Sequence, residues 1–189
     1  MTRIFLIRHG EPTAPWHAAD DPGLSALGAA QAEAAAAELA RHAPGRIISS
    51  PLRRCRETAV PFATASGFAP LIEPRVAEVP SPPLADRQGW LRATFPGAVE
   101  GGAARGWDAC GETILRWRRD IVAALCGLED HTAVFTHFIA INAAVSAALG
   151  RDEAIVCRPA HASITELVCA DGTLKLVSMG AQVDGRTIA

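Results

Sequence analysis

Three short apolar runs, each opening onto a turn or a helix start, constrain this chain more than any other feature. Ile4-Phe5-Leu6-Ile7 ends at Arg8-His9-Gly10, Arg46-Ile47-Ile48-Ser49 ends at Ser50-Pro51, and Thr132–Thr136 ends at His137. Runs this short, rich in β-branched and aromatic residues and closed by turn residues, read as buried strands. Helical patterns lie between them. Ser25 is a suitable N-cap for an Ala- and Glu-rich helix running to about His42, which Pro44-Gly45 stops. Ser50 with Pro51 reads as an N-cap followed by a first-turn proline, so a second helix is expected from there, ended or kinked by Pro61.

Further along, Leu71 to Val79 reads as an extended piece broken by Pro74. The stretch 80–110 is irregular, with one short helix expected over Leu84 to Thr94 and loops elsewhere. A helix from Glu112 to Leu125 places Ile114, Trp117, Ile121 and Leu125 at helical spacing, and an Ala-rich helix runs from His137 to Leu149. Ser163–Cys169 and Thr173–Ser178 flank Asp171-Gly172 and read as a hairpin. Alternating strands and helices imply an α/β fold: a three-layer α/β/α sandwich with a mostly parallel central sheet and an antiparallel edge at the C-terminus. The 189 residues suit one domain, 1–189, with 80–110 as a loop-rich cap or lid insertion.

Composition narrows the function. At 49% hydrophobic and 20% charged residues, the chain is globular, and a formal net charge of −2 offers no general attraction to nucleic acid or anionic membrane. No apolar run approaches the roughly 18–20 residues of a membrane span, and the first run is too short for a signal peptide. A cytoplasmic protein is expected. The five cysteines form no CxxC pair and leave one over, which favours reduced, buried thiols over disulfides or a zinc site. Gly101 to Gly106 has the spacing of a phosphate-binding loop but lacks its Lys-Ser/Thr pair, and no metal-ligand motif is present.

Basic residues recur at equivalent places. Arg8 and His9 follow the first strand, Arg54 lies in the first turn of the helix after the second, and His137 follows the third. The carboxyl ends of parallel strands share one edge, where ligands bind in α/β sheets, and helix N-termini there add positive dipole ends. Two arginines and two histidines therefore converge on one anion site. Arginine forks match phosphate oxygens and favour the neutral, nucleophilic imidazole nearby. Neutral His9 can then attack phosphorus and form a phosphohistidine, with protonated His137 stabilising the transferring group. A carboxyl group must protonate the leaving oxygen and then activate water; Glu78 is best placed, with Glu11 and Glu73 as further candidates. His161, in the loop before the hairpin, is within reach of the same pocket. Trp16, Trp90 and Trp107 lie in segments that can line a cleft.

Arg8-His9-Gly10-Glu11, the Leu24-Ser25-Ala26-Leu27-Gly28 helix opening, Ser49-Ser50-Pro51-Leu52-Arg53-Arg54-Cys55-Arg56-Glu57-Thr58-Ala59, Gly111-Glu112-Thr113 and Thr136-His137 together resemble the histidine phosphatase superfamily, the phosphoglycerate-mutase-like family. The resemblance implies His9 as phospho-acceptor, with Arg8, Arg54 and His137 completing the phosphate pocket. It selects Arg54 over Arg53, because the family's second arginine stands two after the leucine, and it implies Glu78 as acid and base. The family's later histidine is usually followed by glycine; here Phe138 follows, whose backbone N–H is in position to meet the phosphate. The expected activity is a metal-independent phosphomonoesterase with no cofactor, acting on a small phosphorylated metabolite with inorganic phosphate as product. A mutase, or a weakly catalytic phospho-ligand binder, is the alternative. Leaving-group recognition falls to residues 12–22 and 80–110, whose apolar and Trp-containing character hints at a partly apolar partner. Oligomeric state is not legible.

Overall fold

A computed structural model describes residues 1–98 and 102–183. Six strands form one sheet, β1 (Thr2–Arg8), β2 (Arg46–Ser49), β3 (Leu71–Ile72), β4 (Thr132–Thr136), β5 (Ile164–Ala170) and β6 (Thr173–Ser178). The spatial order is β3-β2-β4-β1-β5-β6. The first four strands in that order pair in parallel; β5 adds antiparallel to β1, and β6 antiparallel to β5. The expected α/β/α sandwich with a C-terminal antiparallel edge is what the chain forms.

Side-chain alternation along the strands sorts the core into two halves. Phe5, Ile7, Ile47, Ala133 and Phe135 face the helices α1 (Ala26–His42) and α2 (Arg53–Ser66). Ile4, Leu6, Ile48 and Val134 face α4 (Glu112–Cys126) and α5 (Phe138–Ala148) on the other side. The stripe Ile114, Trp117, Ile121 and Leu125 is the buried face of α4, as its spacing predicts. Helix α5 is buried over most of its circumference, so its one amide must be satisfied inside. Asn142 Oδ1 accepts from the backbone N–H groups of Val156 and Cys157 at 2.8 and 2.9 Å. Its Nδ2 donates to the Phe138 carbonyl.

Several local expectations need correction. Helix α2 begins at Arg53 rather than at Ser50-Pro51, and Asp21 from a distant loop caps it by accepting from Arg53 N at 2.7 Å. Pro61 does not end α2, which continues to Ser66 and closes on Gly67. Burial of Cys55, Ala59 and Phe62 against the sheet outweighs the hydrogen bond that Pro61 cannot donate. In the stretch expected to be extended, only Leu71–Ile72 pairs as a strand, and Pro74–Val76 winds into a 3₁₀ turn. Helix α1 stops at Ala43, in the left-handed region at φ 46°, one residue before Pro44. The hairpin turn carries positive φ at both Asp171 and Gly172, as a two-residue I′ turn requires.

The irregular segment after residue 80 holds one short helix, α3 (Arg87–Thr94), led in by the 3₁₀ turn Leu84–Asp86. Aromatic contacts fix it to the core. Trp16, Trp90, Phe95, Trp107 and Trp117 form a file with successive ring centroids 5.7–6.4 Å apart. Trp107 is fully buried and donates its indole N–H to Ser146 Oγ at 2.9 Å. Truncating it leaves a large cavity and breaks the file. Trp107→Ala is expected to lower the unfolding free energy by about 3–5 kcal/mol, against less than about 1 kcal/mol for Leu71→Ala on the exposed edge strand. Urea titration of the two variants checks this.

Candidate active site

The turn after β1 is clamped from several elements. His9 N donates to the Thr136 carbonyl at 3.0 Å, extending the β1–β4 ladder one residue past the strand. Gly10 N donates to Thr58 Oγ1 at 3.0 Å, and that hydroxyl donates to the Arg54 carbonyl in α2. Ala162 N donates to the carbonyl of Arg8 at 3.0 Å and to that of His9 at 3.3 Å. Gly10 and Gly28 meet backbone to backbone, and a Cβ on either would collide with the other's loop. The histidine is thus held from β4, α1, α2 and the loop before β5.

Within this frame the ring orientations follow from donors and acceptors. His9 Nδ1 lies 2.8 Å from the Gly10 carbonyl, which only accepts, so Nδ1 carries the proton and Nε2 keeps its lone pair. Arg54 Nη2 lies 3.2 Å from His137 Nδ1, and a guanidinium only donates, so His137 carries its proton on Nε2. That N–H meets Ser50 Oγ at 2.8 Å. The two imidazoles stand 5.3 Å apart, edge to face. Arg8, only 2% exposed, donates to the Pro159 carbonyl at 2.9 Å and lies over the Phe138 ring at 5.3 Å.

Arg8, His9, Arg54, Glu78 and Phe138 line one cleft at the carboxyl ends of β1, β2 and β4. Phe138 therefore contributes its ring to the wall and to Arg8, not only a backbone N–H. Glu78 Oε1 accepts from Val79 N at 2.9 Å, and Oε2 accepts from Ile139 N in the first turn of α5 at 3.3 Å. The other two carboxylates considered are engaged elsewhere: Glu11 accepts from Ser25 Oγ at 2.7 Å, and Glu73 pairs with Arg75 at 2.6 Å.

Residues 4–182 match the histidine phosphatase superfamily (branch 1) over nearly the whole chain. The chain belongs to that superfamily. It is 28% identical over 166 residues to the probable phosphoglycerate mutase GpmB of Serratia proteamaculans, covering 79% of this chain and 76% of that one. It is 32% identical over 136 residues to the glucosyl-3-phosphoglycerate phosphatase of Mycobacterium tuberculosis, covering 70% of this chain and 55% of that protein. In fold, it is similar to the phosphoserine phosphatase of Entamoeba histolytica solved with 3-phosphoglyceric acid. That likeness has a TM-score of 0.74 at 19% identity and covers 96% and 98% of the two chains.

The electrostatics of this histidine phosphatase pocket come from burying cations together. Burial, then the His137 ring and the Arg54 and Arg8 charges, hold His9 well below the usual imidazole range. Burial and the same two arginines hold His137 down, which favours its neutral form in the resting site. Arg8 is lowered to about 10, chiefly by burial, and remains a cation at neutral pH. Burial pushes the Glu78 carboxyl up, despite two backbone N–H donors and the nearby arginines. Burial likewise raises the Cys55 thiol, which donates to the Thr136 carbonyl and stays protonated.

Two participants were not assigned from sequence. Ser50, read as a helix cap, accepts from Leu52 N at the start of α2 at 3.2 Å and also holds the His137 ring. His161 stands 5.7 Å from the His9 ring, ring centroid to ring centroid, with a buried Nε2 that has no hydrogen-bond partner among the described residues. Burial and Arg8 lower it to about 3. Its one sequence signal was its place in the loop that leads back to the central strand.

The three rings set a pH dependence. Unfolded imidazole takes a proton near pH 6.5, while the folded rings resist it, so below that pH the unfolded state binds more protons. Stability then falls as pH falls, by at most about 1.4 kcal/mol per pH unit for each ring. Glu78 acts oppositely: the folded state holds the extra proton from its usual value of 4.5 upward, so its contribution improves on acidification. Three rings outweigh one carboxyl. Urea titrations are expected to show a lower unfolding free energy at pH 5 than at pH 7, and a smaller drop in His161→Asn.

Proposed function

We propose that the chain is a phosphomonoesterase that works through a phosphohistidine at His9 and acts on a small phosphorylated metabolite. The observation that carries this reading is the His9 ring. Its Nδ1–H is fixed on the Gly10 carbonyl, and burial with neighbouring cations keeps Nε2 unprotonated at the cleft where Arg8 and Arg54 converge. Family membership and relatives named as phosphatases support it.

The steps come from the residues. Arg8 and Arg54 hold the phosphate oxygens and favour the charge that develops on them. His9 Nε2 attacks phosphorus while the P–O bond to the leaving group breaks. Glu78, whose raised pKa keeps its acid form accessible, gives its proton to the leaving oxygen. Glu78, now a carboxylate, takes a proton from water as that water attacks phosphorus. The P–N bond breaks, inorganic phosphate leaves, and neutral His9 returns. His137 serves as a neutral member that fixes Arg54 through Nδ1 and is itself fixed by Ser50. Each step runs on side chains alone, with no metal or cofactor. The segments 80–98 and 102–110 act as the cap on the leaving-group side, through Leu91 and Ala98 in the cleft wall.

A mutase is the second reading, favoured by the likeness to a probable phosphoglycerate mutase. It requires phosphate to pass to a second position rather than to water. Phosphate release without added metal is expected to fall at least about 1,000-fold in His9→Ala. Rapid quenching of the wild type is expected to trap acid-labile, alkali-stable protein-bound phosphate. Glu78→Gln is expected to lose roughly 100- to 10,000-fold on alkyl phosphates, and far less on p-nitrophenyl phosphate, whose leaving group needs no proton. Turnover surviving in His9→Ala sinks the mechanism; positional transfer with little free phosphate selects the mutase.

A further inference from the structure

The cleft has two chemically distinct ends. Arg8, His9, Arg54 and Glu78 make up its polar end, and every other described lining residue is apolar. The leaving-group side is walled by Pro12, Trp16 and Pro22 from the loop after β1, by Val79 and Leu91, and by Ile139 at the start of α5. Esters whose alcohol bears a carboxylate or an ammonium group need an opposite charge or a fork of donors on that wall, because a buried unpaired charge is strongly unfavourable.

Among the described residues, three arginines of the surrounding segments are committed elsewhere. Arg87 lies with its guanidinium 5.3 Å from the Trp16 ring centroid, donates to the Trp16 carbonyl at 3.1 Å, and pairs with Asp20 at 2.8 Å. Arg158 donates to the carbonyls of Gly97 and Ala98, behind the wall. Arg105 is spent on the carbonyls of Ala93 and Ala109. Glu78 repels a second carboxylate once it has given up its proton.

The apolar wall is also preformed. Trp16 is held on one side by Trp90, at 6.1 Å between ring centroids, and on the other by Arg87, so little order is lost when a ligand packs there. A few convergent polar groups at one end of a mostly apolar cleft are the usual layout of a small-molecule site.

We infer that the ester this cleft takes carries its phosphate on an uncharged, apolar alcohol, packed against Trp16 and the Val79–Leu91 wall. This rests on the phosphomonoesterase reading. Carboxylate-bearing esters such as 3-phosphoglycerate and phosphoserine are then poor substrates.

Benzyl phosphate, phosphoserine and 3-phosphoglycerate are all primary-alcohol esters, so comparing them reports the wall rather than leaving-group acidity. The expected result is a kcat/KM for benzyl phosphate about 100-fold above the other two, equivalent to about 2.7 kcal/mol. Trp16→Ala is expected to cut the benzyl value about tenfold while leaving the carboxylate esters within twofold. A preference below tenfold, or an equal loss on all three esters in Trp16→Ala, overturns the inference. His9→Ala on the same panel tests the mechanism separately: turnover that survives there with the ranking intact removes the phosphohistidine reading and keeps the wall. If no ester turns over, calorimetric binding of benzylphosphonate against 3-phosphoglycerate decides, with tighter benzylphosphonate binding supporting the inference and equal or weaker binding ending it.

Discussion

Arg8 pairs with Thr136 in the β1–β4 ladder, and Ser49 pairs with Phe135 in β2–β4. Three parallel strands therefore stop at one level, and the residues just past their ends converge. The next residue of β1 is His9, the next of β4 is His137, and the next of β2 is Ser50, which holds His137. A one-residue slip in either ladder would turn the side chains beyond it to the other face of the sheet. The apolar alternation that buries Phe5, Ile7, Ile47 and Phe135 on one face therefore also aims the His9 and His137 side chains. Core packing and site geometry share one constraint.

The same pocket concentrates positive charge where water is scarce. Arg8 and Arg54 are each 2% exposed, and two cations buried together disfavour any third. The neighbouring imidazoles therefore stay neutral, as the only arrangement the local field tolerates. Their hydrogen-bond partners then fix which nitrogen keeps its lone pair. Glu78 sits at the edge of this field and at the N-terminus of α5, yet burial still raises its pKa. Burial thus shifts the His9 imidazole down and the Glu78 carboxyl up.

Much of this was legible in the sequence because strand and helix periods are local. Strand ends could be located from Ile4–Ile7, Arg46–Ser49 and Thr132–Thr136, and the polar residue after each end was the natural place to look for chemistry. What escaped was tertiary. Ser50 next to a proline has the local signature of a helix cap, and only the approach of His137 gives it a second role. Pro61 has the local signature of a helix breaker, and only the burial of Cys55, Ala59 and Phe62 overrides it. Neutral His137 could not be foreseen, since its state depends on how deeply two arginines lie beside it. His161 comes into place through Ala162, held at φ 56° in the left-handed region and bonded to the carbonyls of Arg8 and His9.

Strand β1 lies between β4 and β5, and Ile4 is registered against Thr132 on one side and Leu167 on the other. Both neighbours are more than 120 residues away along the chain. During synthesis β1 emerges well before β4 and β5, and Ile4-Phe5-Leu6-Ile7 stays uncovered until they follow. Sheets closed by such distant segments form slowly and expose sticky edges on the way. The histidine turn is held by Thr136 and Ala162, so its clamp is complete only once β4 and the loop before β5 have joined the sheet.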